Sequence, residues 1–374
     1  MEGARYLSEQ IGPRLAGSAK EFEASEFIAN EFRNLGLQVS AHRFSFLNWT
    51  PISRPTMQIL EPVSCSFVLA PMAYTMSSPS YGVEGVLKRT GKMVLIPKLK
   101  EWDRYAIEKD GQEEAFVVKN PAEGEASPFP SGRPLLPEIG AILSKEDGET
   151  IEGWLTEGKQ VRVRLFNECV QEPAYSRNIV GQMGDGDPEL VVCAHYDSAF
   201  LAPGAVDNGS GVQALLDVAK QIVEKGTTHT IQFIAMGAEE LGLLGAYAYV
   251  HYLQEHNTIN NIRACVNFDM IGCGKEIHLR TGIHMEETID TLIEQYQGKL
   301  HHTARRVPVT STSDNWPFHE TGIRNMQFVA SPFPVYHLPC DTMEKYDPTL
   351  VEDCEKMAIT LIDMLLDEAI GDKL

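Results

Sequence analysis

The clearest periodic signal near the start of the chain is helical. Ala24, Phe27, Ile28, Phe32 and Leu35 recur on one face. Ser18 and Glu21 precede them at capping-box spacing, and Gly36 follows as a stop, so a helix is expected over about 18–35. A short strand is expected at 43–46. From about 51 to 169 the texture changes to short β-like runs, at 57–59, 93–96 and 161–166, between turn-rich polar stretches. The Pro- and Gly-rich segment 120–137 reads as a loop. From 178 onward, apolar runs alternate with helical patterns. Strands are expected at 190–194, 230–235, 263–268, 277–280 and 325–330, and helices at 209–225, 243–253, 286–297 and 348–369, the last capped by Asp347 with Pro348 in its first turn. This alternation predicts an α/β fold with a mixed, mostly parallel sheet flanked by helices. The catalytic domain would comprise 1–50 and 170–374, with 51–169 as an inserted, mainly β domain.

In open α/β sheets, ligands bind beyond the carboxyl ends of the strands, and the polar residues at those ends are the candidates for chemistry. The first strand runs into Ala194-His195-Tyr196-Asp197-Ser198. His195 can ligate a metal, and Asp197 can return to its other ring nitrogen; a satisfied histidine beside a surface acid is the plainer reading. Asp207 lies in a glycine-rich turn just before a helix, where it is either an N-cap or a ligand. Glu239 and Glu240 are adjacent at the next strand end, where they repel unless a cation compensates or solvent takes them. Asp269 sits inside the apolar run Val266-Asn267-Phe268-Asp269-Met270, where an unpaired carboxylate is costly. His337 follows the last strand. Of the eleven histidines, His251, His256, His301 and His302 read as solvated surface. Two histidines and three or four carboxylates suit two divalent ions such as zinc. Three ligand carboxylates (Asp207, Glu240, Asp269), two divalent ions and one hydroxide sum to about zero charge, which favours a partly desolvated cleft.

Composition narrows the alternatives. The chain has 374 residues, 43% hydrophobic and 22% charged, which is ordinary for a globular protein and excludes a disordered or fibrous one. Its 32 basic against 52 acidic residues give a net charge of -20, which disfavours nucleic acid and anionic membranes as partners. No apolar run is long enough for a membrane span, and the first residues, MEGARYLSEQIG, lack the pattern of a secretory leader. Seven scattered cysteines without a CxxC read as free thiols, so a cytoplasmic setting is expected.

In order and spacing, AHYDS, GAVDNGSG, AEELGLLG, NFDMIG and YHLPCDT resemble the co-catalytic zinc aminopeptidases of metallopeptidase clan MH, whose relatives include glutamate-carboxypeptidase-like and transferrin-receptor-like proteins. The segment IGPRLAGSAKEFEASEFIANEFRNLGL resembles that family's opening helix. The resemblance implies two zinc ions per chain. Asp207 would bridge them, His195 and Asp269 completing one site and Glu240 and His337 the other. It implies Glu239 as general base on the water between the metals, Asp197 as the residue that orients His195, and a cis peptide bond after Asp207. Residues 312–318, TSDNWPF, resemble the family's Ser-Asp-His segment, with Asn315 in place of histidine. The stretch 136–168 resembles a protease-associated domain. The implied activity is hydrolysis of N-terminal peptide bonds. A carboxypeptidase-like enzyme or a small-molecule amide hydrolase on the same site is the alternative. A non-catalytic receptor is disfavoured, because all five ligands and Glu239 are present.

Overall fold

A computed structural model describes residues 1–96, 100–130, 137–186 and 189–371. The chain divides into two compact units, Met1–Phe46 with Ala174–Leu374, and Leu47–Pro173.

The first unit is built on an eight-stranded mixed sheet. Its spatial order is Gln38–Pro51, Cys169–Met183, Ile231–Met236, Leu190–His195, Ala264–Phe268, Arg324–Ser331, Glu276–Thr281 and Thr303–Pro308. The four central strands, from Ile231–Met236 to Arg324–Ser331, are parallel to one another. Antiparallel pairing appears on either side of them, at Cys169–Met183 and at Glu276–Thr281. The continuous apolar run of the strand Leu190–His195 is explained by the strand's two faces. Val192 and Ala194 join the core formed with the helices Ala19–Asn34, Gly209–Lys225, Glu286–Tyr296 and Pro348–Gly371. Val191 and Cys193 point to the other side, into a core with the helix Leu244–Glu255 and Phe318. A strand buried on both faces must be apolar throughout. The parallel register places His195 beside Met236 and Asn267 beside Gln327, so the chain leaves several strands at the same edge of the sheet.

The second unit holds a nine-stranded sheet, antiparallel over most of its pairs, with its own apolar core around Leu87, Tyr105, Ile107 and Val163. It is not purely β. The helix Lys145–Thr156 packs Ile151 into that core, and Ser144 caps it by accepting the Asp147 N–H.

Several elements differ from the periodicity reading. Thr303–Pro308 is an edge strand of largely polar sequence, exposed along much of its length, so it carries no apolar run to detect. Asn315–Glu320 is a helix too short for a period, and Tyr6–Ile11 is a π-helix. Cys169–Met183 is one long strand across the expected domain boundary. The loop expected at 120–137 includes the short strand Phe129–Pro130; its residues 131–136, which include the start of the protease-associated resemblance, lie outside the described residues. His302 is not surface-solvated: its backbone N–H and Nδ1 both face the buried Asp353 carboxylate, at 3.0 and 3.1 Å. All seven cysteines are free, with Cys193 and Cys265 sulfurs 3.7 Å apart in the core. Among the described residues, no helix is long and apolar enough to cross a membrane.

Phe233 is fully buried at the centre of the sheet. Phe233→Ala is expected to destabilise the protein by about 3–5 kcal/mol in urea unfolding. Tyr175→Ala, at a side chain 77% exposed, is expected to stay within about 0.5 kcal/mol. Equal losses for the two would contradict this placement of the core.

Candidate metal centre

Each candidate side chain is delivered by the end of a strand or by the loop that follows one. His195 closes the strand Leu190–His195, and Asp269 follows the strand Ala264–Phe268. Glu239 and Glu240 lie just beyond Ile231–Met236, and His337 lies in the loop after Arg324–Ser331. Asp207 precedes the helix Gly209–Lys225 but does not cap it. The cap is Asn208, whose side chain accepts the Gly211 N–H, and this leaves the Asp207 carboxylate available. Asn208 also accepts from the Met270 N–H and donates to the Phe268 carbonyl, tying the Asp207 turn to the strand end that carries Asp269. The Asp207–Asn208 peptide bond is cis.

These side chains form two groups of three that share one member. In the first, His195 Nε2 is 3.3 Å from Asp207 Oδ1 and 3.4 Å from Asp269 Oδ1. In the second, His337 Nε2 is 3.4 Å from Asp207 Oδ2 and 2.9 Å from Glu240 Oε2. Asp207 therefore turns one oxygen to each group. Bonds of about 2.0–2.1 Å in a tetrahedral zinc shell put neighbouring donor atoms roughly 3.3 Å apart. Three of the four spacings match that edge length, and the His337–Glu240 pair is closer, at 2.9 Å. Asp207 Oδ2, Glu240 Oε1 and Asp269 Oδ1 are buried and have no hydrogen-bond partner. Buried polar atoms are normally satisfied, and one that is not calls for an unseen partner. The donor set, its spacing and these orphaned oxygens fit a pair of divalent ions.

The electrostatics point the same way. Burial pushes the Glu239 carboxyl well above its ordinary range; Asp314, Asp269 and Glu240 push it further, while His195 pulls it down. Burial also raises Glu240, against the pull of His337. Burial opposes a charge on His195, yet Glu239, Asp197, Asp207 and Asp269 together carry its basicity well above the ordinary histidine value. So many buried acids in one place repel each other unless cations intervene.

The surroundings hold the donors in place. Asp197, fully buried, accepts the backbone N–H groups of Glu239 and Glu240 at 3.0 and 3.1 Å. Its Oδ1 is 3.5 Å from His195 Nδ1, a nitrogen without a hydrogen-bond partner, so Asp197 stands beside the His195 ring while its hydrogen bonds go to the Glu239–Glu240 turn. Asp341 accepts the N–H groups of Val206 and Asp207 at 2.7 and 2.9 Å. Gln327 donates to Asp269 Oδ2 at 3.1 Å, which leaves Oδ1 facing His195. The ring of Tyr336 stacks on His337 with centroids 3.6 Å apart. Sequence reasoning gave no role to Asp341, Gln327 or Tyr336. Only Asp341 had a local signal, an acid in the loop that follows His337. Ala238, Met270 and His337 take left-handed backbone angles, with φ of 53°, 56° and 57°. Such conformations cost on the order of 1–3 kcal/mol each and cluster where function demands a particular orientation.

The sequence model of Peptidase family M28 matches residues 178–362. The aminopeptidase YwaD of Bacillus subtilis is 31% identical over 368 residues, covering 90% of this chain and 78% of its own. The chain belongs to peptidase family M28. As an M28 member it is a hydrolytic enzyme, a peptidase. The leucine aminopeptidase 2 of Trichophyton rubrum is 26% identical over 274 residues, and the match spans 54% of that protein. Among solved structures, BSAP, a zinc aminopeptidase from Bacillus subtilis, is 26% identical with a TM-score of 0.72, over 96% of this chain and 93% of that one. An aminopeptidase from Aneurinibacillus sp. strain AM-1, at 22% identity and a TM-score of 0.75, shares the fold over 96% and 92% of the two chains. The M28 match includes all seven residues named from the sequence, from His195 to His337.

Replacing Asp341 by alanine would orphan two buried N–H donors, each worth about 1–3 kcal/mol. Asp341→Ala is expected to lower stability in chemical unfolding by about 2 kcal/mol or more; a change within about 0.5 kcal/mol would contradict its anchoring role.

Proposed function

We propose that this M28 peptidase is a di-zinc aminopeptidase that removes N-terminal residues from peptides. The observation that carries the reading is the pair of three-residue groups joined by the two oxygens of Asp207. His195, Asp207 and Asp269 would hold one zinc ion, and Asp207, Glu240 and His337 the other. Zinc bound there supplies Lewis-acid polarisation of the scissile carbonyl and lowers the pKa of water from about 15.7 towards about 7.

The chain's own residues supply the remaining functions. Glu239 is not needed to complete either group, and its Oε2 lies 3.9 Å from His195 Nε2, beside the first group. It is placed to take a proton from the attacking water and return it to the departing amine. Asp197, through the Glu239 and Glu240 amides, fixes where that carboxylate stands. The carboxylates left over once the ligands are assigned favour a substrate whose free α-amine is cationic. The names of the similar proteins support the same activity, since the proteins above are described as aminopeptidases and BSAP as a zinc enzyme.

The test has two parts. Purified protein is expected to carry two zinc ions per chain by elemental analysis and to lose activity on chelation. Full activity in metal-free protein would end the reading. On substrates, aminoacyl anilides are expected to be cleaved and amino-blocked peptides spared; cleavage confined to substrates with a free C-terminus would move the assignment to a carboxypeptidase. Glu239→Gln is expected to retain zinc and lose about 10²-fold or more in kcat. Near-parental turnover in that variant would remove Glu239 as the base.

A further inference from the structure

Arg14 has no place in the chemistry above, yet it is the largest fully buried side chain among the described residues. It comes from the segment that precedes the helix Ala19–Asn34, far in sequence from every metal candidate. A buried cation is expensive unless it is paired and hydrogen-bonded. Among the described residues, no carboxylate lies within salt-bridge distance of it. Its partners are backbone carbonyls. Nε donates to Tyr196 O at 2.5 Å, Nη1 to Pro203 O at 2.7 Å and Nη2 to Gly204 O at 2.9 Å. Longer contacts run from Nη1 to the Gly12 and Leu7 carbonyls, at 3.4 and 3.5 Å.

The identity of the three close carbonyls matters. Tyr196 stands between His195 and Asp197, and Pro203 and Gly204 begin the turn that ends in Asp207. That turn is closed by the Gly209 N–H donating to the Gly204 carbonyl. One rigid, planar group thus spans the two loops that bring His195 and Asp207 together. The backbone of Arg14 reinforces the link: its N–H donates to Ser198 Oγ at 3.1 Å, and its carbonyl accepts the Ser198 N–H at 3.3 Å. Burial lowers the guanidinium to about 10, with Asp341, Asp197, Asp207 and Glu240 pulling it back up, so it stays charged at neutral pH and offsets part of the acidic cluster. Glu21, a few residues later, accepts the Ala238 N–H at 3.2 Å beside Glu239, so the same N-terminal segment reaches a third strand end.

We infer that Arg14 is a positioning residue for the metal centre: its fork sets the separation of the His195 and Asp207 loops, and through it the zinc affinity of the site those two side chains share. The inference rests on the di-zinc reading above. A lysine keeps the charge but cannot bridge three carbonyls in a plane.

The experiment is a zinc titration of the full chain, started metal-free, against a chromophoric chelator, with thermal melting of the metal-free protein in parallel. For Arg14→Lys, one of the two zinc equivalents is expected to bind about 10–100-fold more weakly, the range seen when groups supporting a metal ligand are removed. Turnover is expected to recover as zinc is raised. A purely architectural Arg14 would lower the melting point of the metal-free protein and leave both affinities parental, and that result overturns the inference. If Arg14→Lys does not fold, Ser198→Ala, which removes the hydroxyl that accepts the Arg14 N–H at 3.1 Å and donates to the Ala202 carbonyl at 3.0 Å and so loosens Arg14 and the start of the Asp207 loop together, is expected to weaken the same equivalent severalfold; unchanged affinity there also overturns it. A parent chain that takes up no zinc removes the di-zinc reading itself, and this inference with it.

Discussion

The organising constraint of this molecule is electrostatic. Asp197, Asp207, Glu239, Asp269, Asp314 and Asp341 are all nearly or fully withdrawn from solvent, and the Glu240 side chain stands among them. Close carboxylates of like charge raise one another's proton affinity, and burial adds to the effect. Hydrogen bonding relieves only some of them. Asp197 and Asp341 are satisfied by backbone N–H groups, whereas Asp207 Oδ2, Glu240 Oε1, Asp269 Oδ1 and both oxygens of Asp314 have no hydrogen-bond partner. The folding unit tolerates this arrangement because something positive belongs among those oxygens.

The fold makes such a concentration possible without threading the chain through itself. Parallel strands release their chains at one edge of the sheet, so residues far apart in sequence meet there. The apolar runs that bury those strands on both faces supply the rigidity, and the loops beyond them carry the function. What ties the loops to one another lies in neither. It is a lattice of side chain to backbone bonds between loops: Asp197 to the Glu239–Glu240 turn, Asn208 to the Asp269 strand end, Asp341 to the Asp207 turn, and Arg14 across two loops.

Much of this was legible from sequence. The strand Leu190–His195 and the helix Gly209–Lys225 declared themselves by continuous and periodic apolar patterns, because burial imposes those patterns directly. His195 and Asp269 stood out because a polar residue at or directly after such a strand is conspicuous, whereas Asp207, Glu240 and His337 lie in turns and loops further on and were gathered by the resemblance of their motifs. The supporting residues did not stand out. Gln327 lies inside a strand and points to a partner 58 positions away, and Arg14 reaches 182 positions to Tyr196. No local pattern encodes a hydrogen bond of that range. Asp207 was legible as a cap or a ligand but not as which; only the folded chain shows Asn208 taking the cap. The helix Lys145–Thr156 was missed for a different reason: its amphipathic pattern is short and sits in a stretch dominated by strands and turns.

The central claim is tested most directly by locating zinc in crystals of the loaded enzyme by anomalous scattering at the zinc edge. Two peaks are expected in each chain, one among His195, Asp207 and Asp269 and one among Asp207, Glu240 and His337, with an oxygen of Asp207 at each. Peaks elsewhere, or a well-ordered zinc-soaked crystal with neither position filled, would contradict it.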